Sequence, residues 1–107
     1  MGEAEIHRDE RGRVVGLTLR DTAPGTIAGA GANYLLAAAS TALAEYLHAP
    51  VAADGAVAPS LVVDRSDAHL DREIDAVLET LVIGLRMVER DHPSEFAIQE
   101  ATIGVEV

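Results

Sequence analysis

The sequence predicts an α+β fold, a largely antiparallel β-sheet with two helices packed on one face, in the order ββ-α-ββ-α-β. Three observations carry that prediction. Apolar and polar positions alternate near the N-terminus, two longer segments show helical apolar spacing, and glycine or proline marks the junctions between them. At 107 residues the chain reads as one domain, residues 1–107, with a real core and little redundancy in it.

The first two strands are expected at residues 4–9 and 13–20, around the turn Glu10-Arg11-Gly12, with Val15, Leu17 and Leu19 alternating against Gly16 and Thr18. Residues 21–31 contain a proline and several glycines without periodicity, which is the chemistry of a movable loop. From 32 to 48 the spacing of Leu36, Ala39, Leu43 and Leu47 is helical. Asn33 is the expected N-cap, and Ala49-Pro50 closes the run because the residue before proline is pushed out of the α region. Asp54-Gly55 is a hairpin turn joining weaker strands at 51–53 and 57–63.

The second helix is the clearest element. After Ser66 or Asp67 as cap, Leu70, Ile74, Val77, Leu78, Leu81, Leu85 and Val88 form one stripe, and His92-Pro93 closes it. Burying that stripe contributes roughly 10–20 kcal/mol before conformational entropy. Val82, Ile83 and Met87 are apolar off the stripe, which predicts a second covering surface, most simply another subunit. In the tail, Phe96 and Ile98 fall on even positions and Ile103, Val105 and Val107 on odd ones. A bulge or break is therefore expected near residues 100–102.

Composition excludes several functions. There is no cysteine, so there is no disulfide, no thiolate metal site and no cysteine nucleophile. The net charge is −10 and every base is arginine, which argues against nucleic acid and favours a basic protein or peptide as partner, unless the charge only confers solubility. No long apolar run is visible and MGEAEIHRDE is too charged for a signal peptide. No membrane span is expected, and the cytoplasm is the expected location.

Three stretches carry a family resemblance: EIHRDERGRVVGLTL, LLAAASTAL and LETLVIGLRMVERDHP. In the last, Glu79, Gly84, Leu85, Glu89 and Pro93 fit an L-E-x-L-x-x-G-L…E-x-x-P pattern, and a glycine inside an amphipathic helix costs about 1 kcal/mol, so a generic helix would not choose it. The chain resembles the ribosomal-processing cysteine proteases, small homodimeric bacterial enzymes that trim an N-terminal extension from a large-subunit ribosomal protein. The resemblance implies Gly-His-Ala after the second strand, a flexible glycine-containing loop, and Asp-Ile-Val-Cys-Ala-Ala at the start of the first helix, where the cysteine is a thiolate. Matching the paired alanines to Ala38 and Ala39 puts Ala37 in the cysteine's place and Tyr34 in the aspartate's, with Thr22 at the histidine's. All three reacting roles are vacated. The implied peptide groove takes in Asp21, Thr22, Gly25, Gly29, Gly31, Asn33, Tyr34 and Ala37.

Other side chains offer less. Thr22, Thr26, Ser40 and Thr41 are alcohols, but no histidine falls between His7 and His48 to act as their base. His48 and His92 each close a helix ahead of a proline and suit the helix dipole. His69 and Asp71, with Asp67 and Glu73, match no metal-ligand spacing, and the loop glycines lack the pattern of a phosphate cradle, so no cofactor or metal is expected. The leading reading is a non-catalytic, homodimeric relative of the protease that binds a basic ribosomal-protein peptide. The alternatives are a hydrolase with a non-cysteine nucleophile or a differently placed site, and an interaction protein without groove function.

Overall fold

The computed structural model describes residues 1–22, 25–54 and 59–102. It contains β1 (Gly2–Arg8), β2 (Val14–Arg20), α1 (Ile27–Thr41) continued by a π-helical turn (Ala42–Tyr46), β3 (Val51–Asp54), β4 (Ser60–Val63), α2 (Asp71–Asp91) and β5 (Phe96–Thr102). This is the predicted order. The strands form one sheet, β3-β4-β2-β1-β5, antiparallel throughout except that β5 runs parallel to β1. β4 and β5 therefore point the same way, and α2 is the helical connection that returning to a parallel strand requires.

One sheet face is covered by the helices. Ala4 and Ile6 from β1, Leu17 and Leu19 from β2, Leu61 and Val63 from β4, and Phe96 from β5 are buried beneath them. On β2 the inward residue is Val14, not Val15. His7 pairs with Gly16 and Arg8 with Val14, so Val15 is the extra residue of a bulge and the alternation changes phase there. The other face is polar, with Arg20 on Glu5 at 3.0 Å and His7 Nε2 on Glu5 Oε1 at 2.9 Å.

β5 pairs with β1 without interruption from Phe96 to Thr102, so the break expected near residues 100–102 is absent. Residues 99–102 are exposed, which leaves no inward set to preserve there. Ile103, Val105 and Val107 lie outside the described residues, as do Gly55 of the expected turn and Val57 of the expected strand.

α1 begins earlier than the sequence suggested. The cap is Thr26, whose Oγ1 accepts the Gly29 N–H at 2.9 Å, and not Asn33; Gly29 and Gly31 are helical. The reason is tertiary: Gly29 is buried and Gly31 faces Val88 of α2, where a Cβ would stand at an ordinary contact distance of 3.7 Å, so burial of this helix face outweighs the helix cost of glycine. At the other end the helix loosens into the π-helical turn, and His48, with φ 53°, turns the chain out so that the Ala49 N–H reaches the Leu43 carbonyl at 2.8 Å.

By length and composition, the continuous helix Ile27–Tyr46 is apolar enough to cross a membrane, contrary to expectation. Its many alanines, with Ile27 and three leucines, raise its mean hydropathy, while glycine, Asn33, Ser40 and Thr41 interrupt any apolar run. In this fold Ala28, Ala32, Leu36, Ala39 and Leu43 of that segment are buried in the core.

α2 starts at Asp71, after Leu70, and neither expected cap serves it. Ser66 N–H donates to Asp64 Oδ1 and His69 N–H donates to Asp67 Oδ1, both at 2.9 Å, so these carboxylates close turns ahead of the helix. The helix start is held instead by Arg65, which is only 6% exposed. Its Nε donates to Asp71 Oδ1 at 2.9 Å, Nη1 to the Val14 carbonyl at 2.9 Å, and Nη2 to the Asp71 carbonyl at 3.0 Å and Asp75 Oδ1 at 3.1 Å. Arg13 Nη1 reaches the same Asp71 oxygen at 2.9 Å.

Beyond that start, Ile74, Leu78, Leu81 and Leu85 are buried as predicted. Val82 is buried too, at 3% exposure, and this corrects its assignment to an uncovered surface: it packs into the chain's own core. Ile83 and Met87 remain outside. The motif residues are joints between elements. Glu79 takes Arg8 Nη1 at 2.7 Å, Gly84 lies against Leu35 of α1, and Glu89 Oε2 accepts the Ile98 N–H of β5 at 2.9 Å. Arg8 also holds Glu100, whose carboxyl it keeps below the usual range, and Arg86 joins it there.

Two stability outcomes follow from these contacts. Arg65→Met should cost about 1–3 kcal/mol in urea unfolding, because it strips donors from the Val14 and Asp71 carbonyls and leaves the Asp71 carboxylate held by Arg13 alone. Gly84→Ala should fail to gain the roughly 1 kcal/mol that alanine normally brings to a helix, since its Cβ would meet Leu35 at 3.1 Å. In a Leu35→Ala background the gain should reappear, and additivity of the two changes would refute the contact as the cause.

Candidate functional site

Two depressions flank α1. The larger, about 630 Å³, lies between α1 and the β3–β4 end of the sheet. Ala30, Asn33, Tyr34, Ala37, Ser40 and Thr41 line it from the helix, Leu36 lies at its floor, and Ala53, Pro59 and Ser60 form the opposite wall. None of these side chains carries a charge. The smaller, about 280 Å³, lies at the start of α1 among Gly2, Asp21, Thr22, Thr26, Gly29 and Glu95.

The expected groove residues thus divide. Asn33, Tyr34 and Ala37 line the large groove, while Asp21, Thr22 and Gly29 line the small one. Gly25 is exposed and borders neither, and Gly31 faces α2. Asn33 sits between the two. Its Nδ2 donates to the Gly29 carbonyl at 2.7 Å, the Thr22 carbonyl at 3.2 Å and Thr22 Oγ1 at 3.3 Å, pinning the end of the β2–α1 connection against the helix. Asp21, with φ 54°, adopts the left-handed conformation that starts this turn.

Of the three positions matched from the sequence, Tyr34 and Ala37 lie one turn apart on the large groove and Thr22 on the small one. Thr22 touches Asn33; Tyr34 is 78% exposed, and Ala37 is exposed along the groove. With α1 starting at Ile27, Ala37 lies nearly three turns inside the helix and not at its start, beyond the reach of the terminal partial charge. The sequence put Ala37 near the helix start because it read the glycines before it as loop. Of the other candidates, Ser40 and Thr41 line the groove without a base, and the Asp71 carboxylate is engaged by Arg65 and Arg13.

Ala30, Ala53, Pro59 and Ser60 belong to the groove and were not singled out from the sequence. For Ala30 a signal existed: Ala30, Ala37 and Thr41 follow helical spacing once the helix is extended back to Ile27. For the opposite wall there was none, because strand order is what brings it near.

No protein-family model matches the sequence, and no curated protein matches it. Solved structures share the fold. An essential ribosomal processing protease from Staphylococcus aureus, in complex with a substrate peptide, has a TM-score of 0.82 at 15% identity, over 94% of this chain and 100% of that one. The same protease with a covalently linked product peptide has a TM-score of 0.80 at 16% identity, over 94% and 100%. A protein from Streptococcus mutans has a TM-score of 0.79 at 15% identity, over 95% of each chain. The likeness covers the whole domain and establishes a common architecture.

Introducing a thiol tests the geometry. Ala37→Cys should alkylate with iodoacetamide along the pH profile of an ordinary exposed thiol, because no histidine and no helix N-terminus adjoins it. Rapid alkylation at neutral pH would show an activating environment that the arrangement lacks.

Proposed function

We propose that this chain is a non-catalytic relative of the ribosomal processing proteases, a cytoplasmic homodimer whose groove holds an extended, basic segment of a ribosomal protein. One combination carries the reading: the fold is shared end to end with a protease solved with its substrate peptide, yet the chain contains no cysteine to attack one. The residues matched to the reacting groups, Ala37, Tyr34 and Thr22, supply no thiol, carboxylate or imidazole. A long groove with an uncharged lining remains beside them.

Electrostatics favours a basic ligand. The chain is −10 and has no lysine, so a cationic segment meets attraction at long range and an uncharged wall on contact. Such a field speeds encounter more than it tightens the final complex. The dimer reading rests on Ile83, 59% exposed, and Met87, 49% exposed, one helical turn apart on the outer face of α2.

The test of ligand is titration with the basic N-terminal peptide of a large-subunit ribosomal protein. Binding without cleavage is expected, weakening as salt rises from about 50 to 200 mM and the Debye length falls from roughly 14 to 7 Å. Cleavage of that peptide, or no binding at low salt, would overturn the reading. Sedimentation should give twice the monomer mass. Ile83→Glu with Met87→Glu should shift it to a folded monomer, whereas Val82→Glu should unfold the chain, because a charge there is buried.

A further inference from the structure

The hydrogen-bond phase of the sheet can be followed from strand to strand. Leu19 N–H donates to the Pro59 carbonyl at 2.8 Å, and Asp64 N–H donates to the Pro50 carbonyl at 2.9 Å. In an antiparallel ladder each residue bonds to one neighbour and the next residue to the other. Leu61 and Val63 therefore bond towards β2, Val62 and Asp64 towards β3, and on β3 it is Ala52 that pairs inward. Val51 and Ala53 present their backbone N–H and C=O groups outward, along the free edge of the sheet.

The sheet's two edges are not equivalent. On β5 the Ile98 N–H is occupied by Glu89 from α2. On β3 no described residue bonds to the outward groups of Val51 and Ala53, and Ala53 also forms a wall of the large groove. A strand added there would alternate its side chains, every second one entering the groove against Ala37.

Resting on the peptide-binding reading above, we infer that the ligand binds by adding a strand to the free edge of β3, pairing with Val51 and Ala53 and seating a large side chain in the groove. The chemistry specified is an extended, basic segment of another protein with an apolar anchor. A second copy of β3 does not meet that need, since its Val-Ala-Ala-Asp sequence offers neither a large apolar anchor nor a basic residue. Charge agrees. The net charge is −10, and Asp64, whose carboxyl the Ser66 N–H keeps below its usual range, lies beside the start of β3, where its own N–H meets the Pro50 carbonyl. Main-chain pairing supplies affinity and the groove supplies selectivity.

The experiment is amide hydrogen exchange of the full chain with the same ribosomal-protein N-terminal peptide, together with binding to Ala53→Pro. Proline is tolerated at an outward edge position, so this variant should fold, yet lose affinity about tenfold through the missing donor. Val51 and Ala53 amides should become protected on binding. Peptides N-methylated at alternate residues give a test independent of the variant: methylation in one phase should abolish binding and in the other leave it. Binding with Val51 and Ala53 unprotected, or with both methylated series equally active, overturns the edge proposal alone. Failure of the unmodified peptide to bind overturns the ligand reading and this one with it. Protection of the edge that rises with protein concentration in the absence of peptide assigns it to a second copy and also overturns it.

Discussion

The buried guanidinium of Arg65 is the constraint around which the rest is arranged. A charge with so little exposure persists only if its donors are met, and here they are met by groups from separate elements: the Val14 carbonyl on β2 and the carboxylates and carbonyl of the first turn of α2. The side chain thereby fixes where α2 begins and at what height it meets the sheet. It anchors that first turn without capping it, since a guanidinium only donates and Leu70 offers no side-chain oxygen to the free N–H groups. Once that start is set, Ile74, Leu78, Leu81 and Leu85 fall over the sheet in sequence.

The motif that suggested a relationship then acquires a mechanical meaning. Glu79 ties α2 to β1 through Arg8, Gly84 lets α1 approach at Leu35, and Glu89 caps a β5 amide. These contacts hold layers in position, and none faces the groove. A chain can keep such joints and the architecture while its groove lining varies, because packing constrains the joints and the groove wall is solvent-facing. This separation of fold from site is the physical reason that a shared architecture does not by itself assign an activity.

α1 serves both sides of that division. Its inner face is nearly all alanine with Leu36 and Leu43, which permits a close approach to α2 and the sheet but buries little area per residue. Its other side lines the groove with Ala30, Ala37, Ser40 and Thr41 beside the larger Asn33 and Tyr34, so the helix wall of the depression is low over much of its length. The π-helical turn and the left-handed His48 then deliver the chain to the edge strand that forms the opposite wall.

Local chemistry was legible wherever a pattern repeats along the chain. The alternation of Leu17 and Leu19 in β2, the stripe of α2, the element order and the absence of a thiol all follow from the residues in line. Contacts between distant segments were not. Val14 replaces Val15 inside because of a bulge set by pairing with β1, and Val82 is buried because α2 has a sheet beneath and a helix beside it. Gly29 and Gly31 are helical because α1 is buried along one face by its neighbours, although alone they read as loop. The groove had the least signal, since half of its wall comes from β3 and β4. Sequence determines the period of each element and its chemical inventory, because these depend on neighbours along the chain; which faces meet, and hence where an edge and a cavity lie side by side, is decided only when non-local burial competes for the same surfaces.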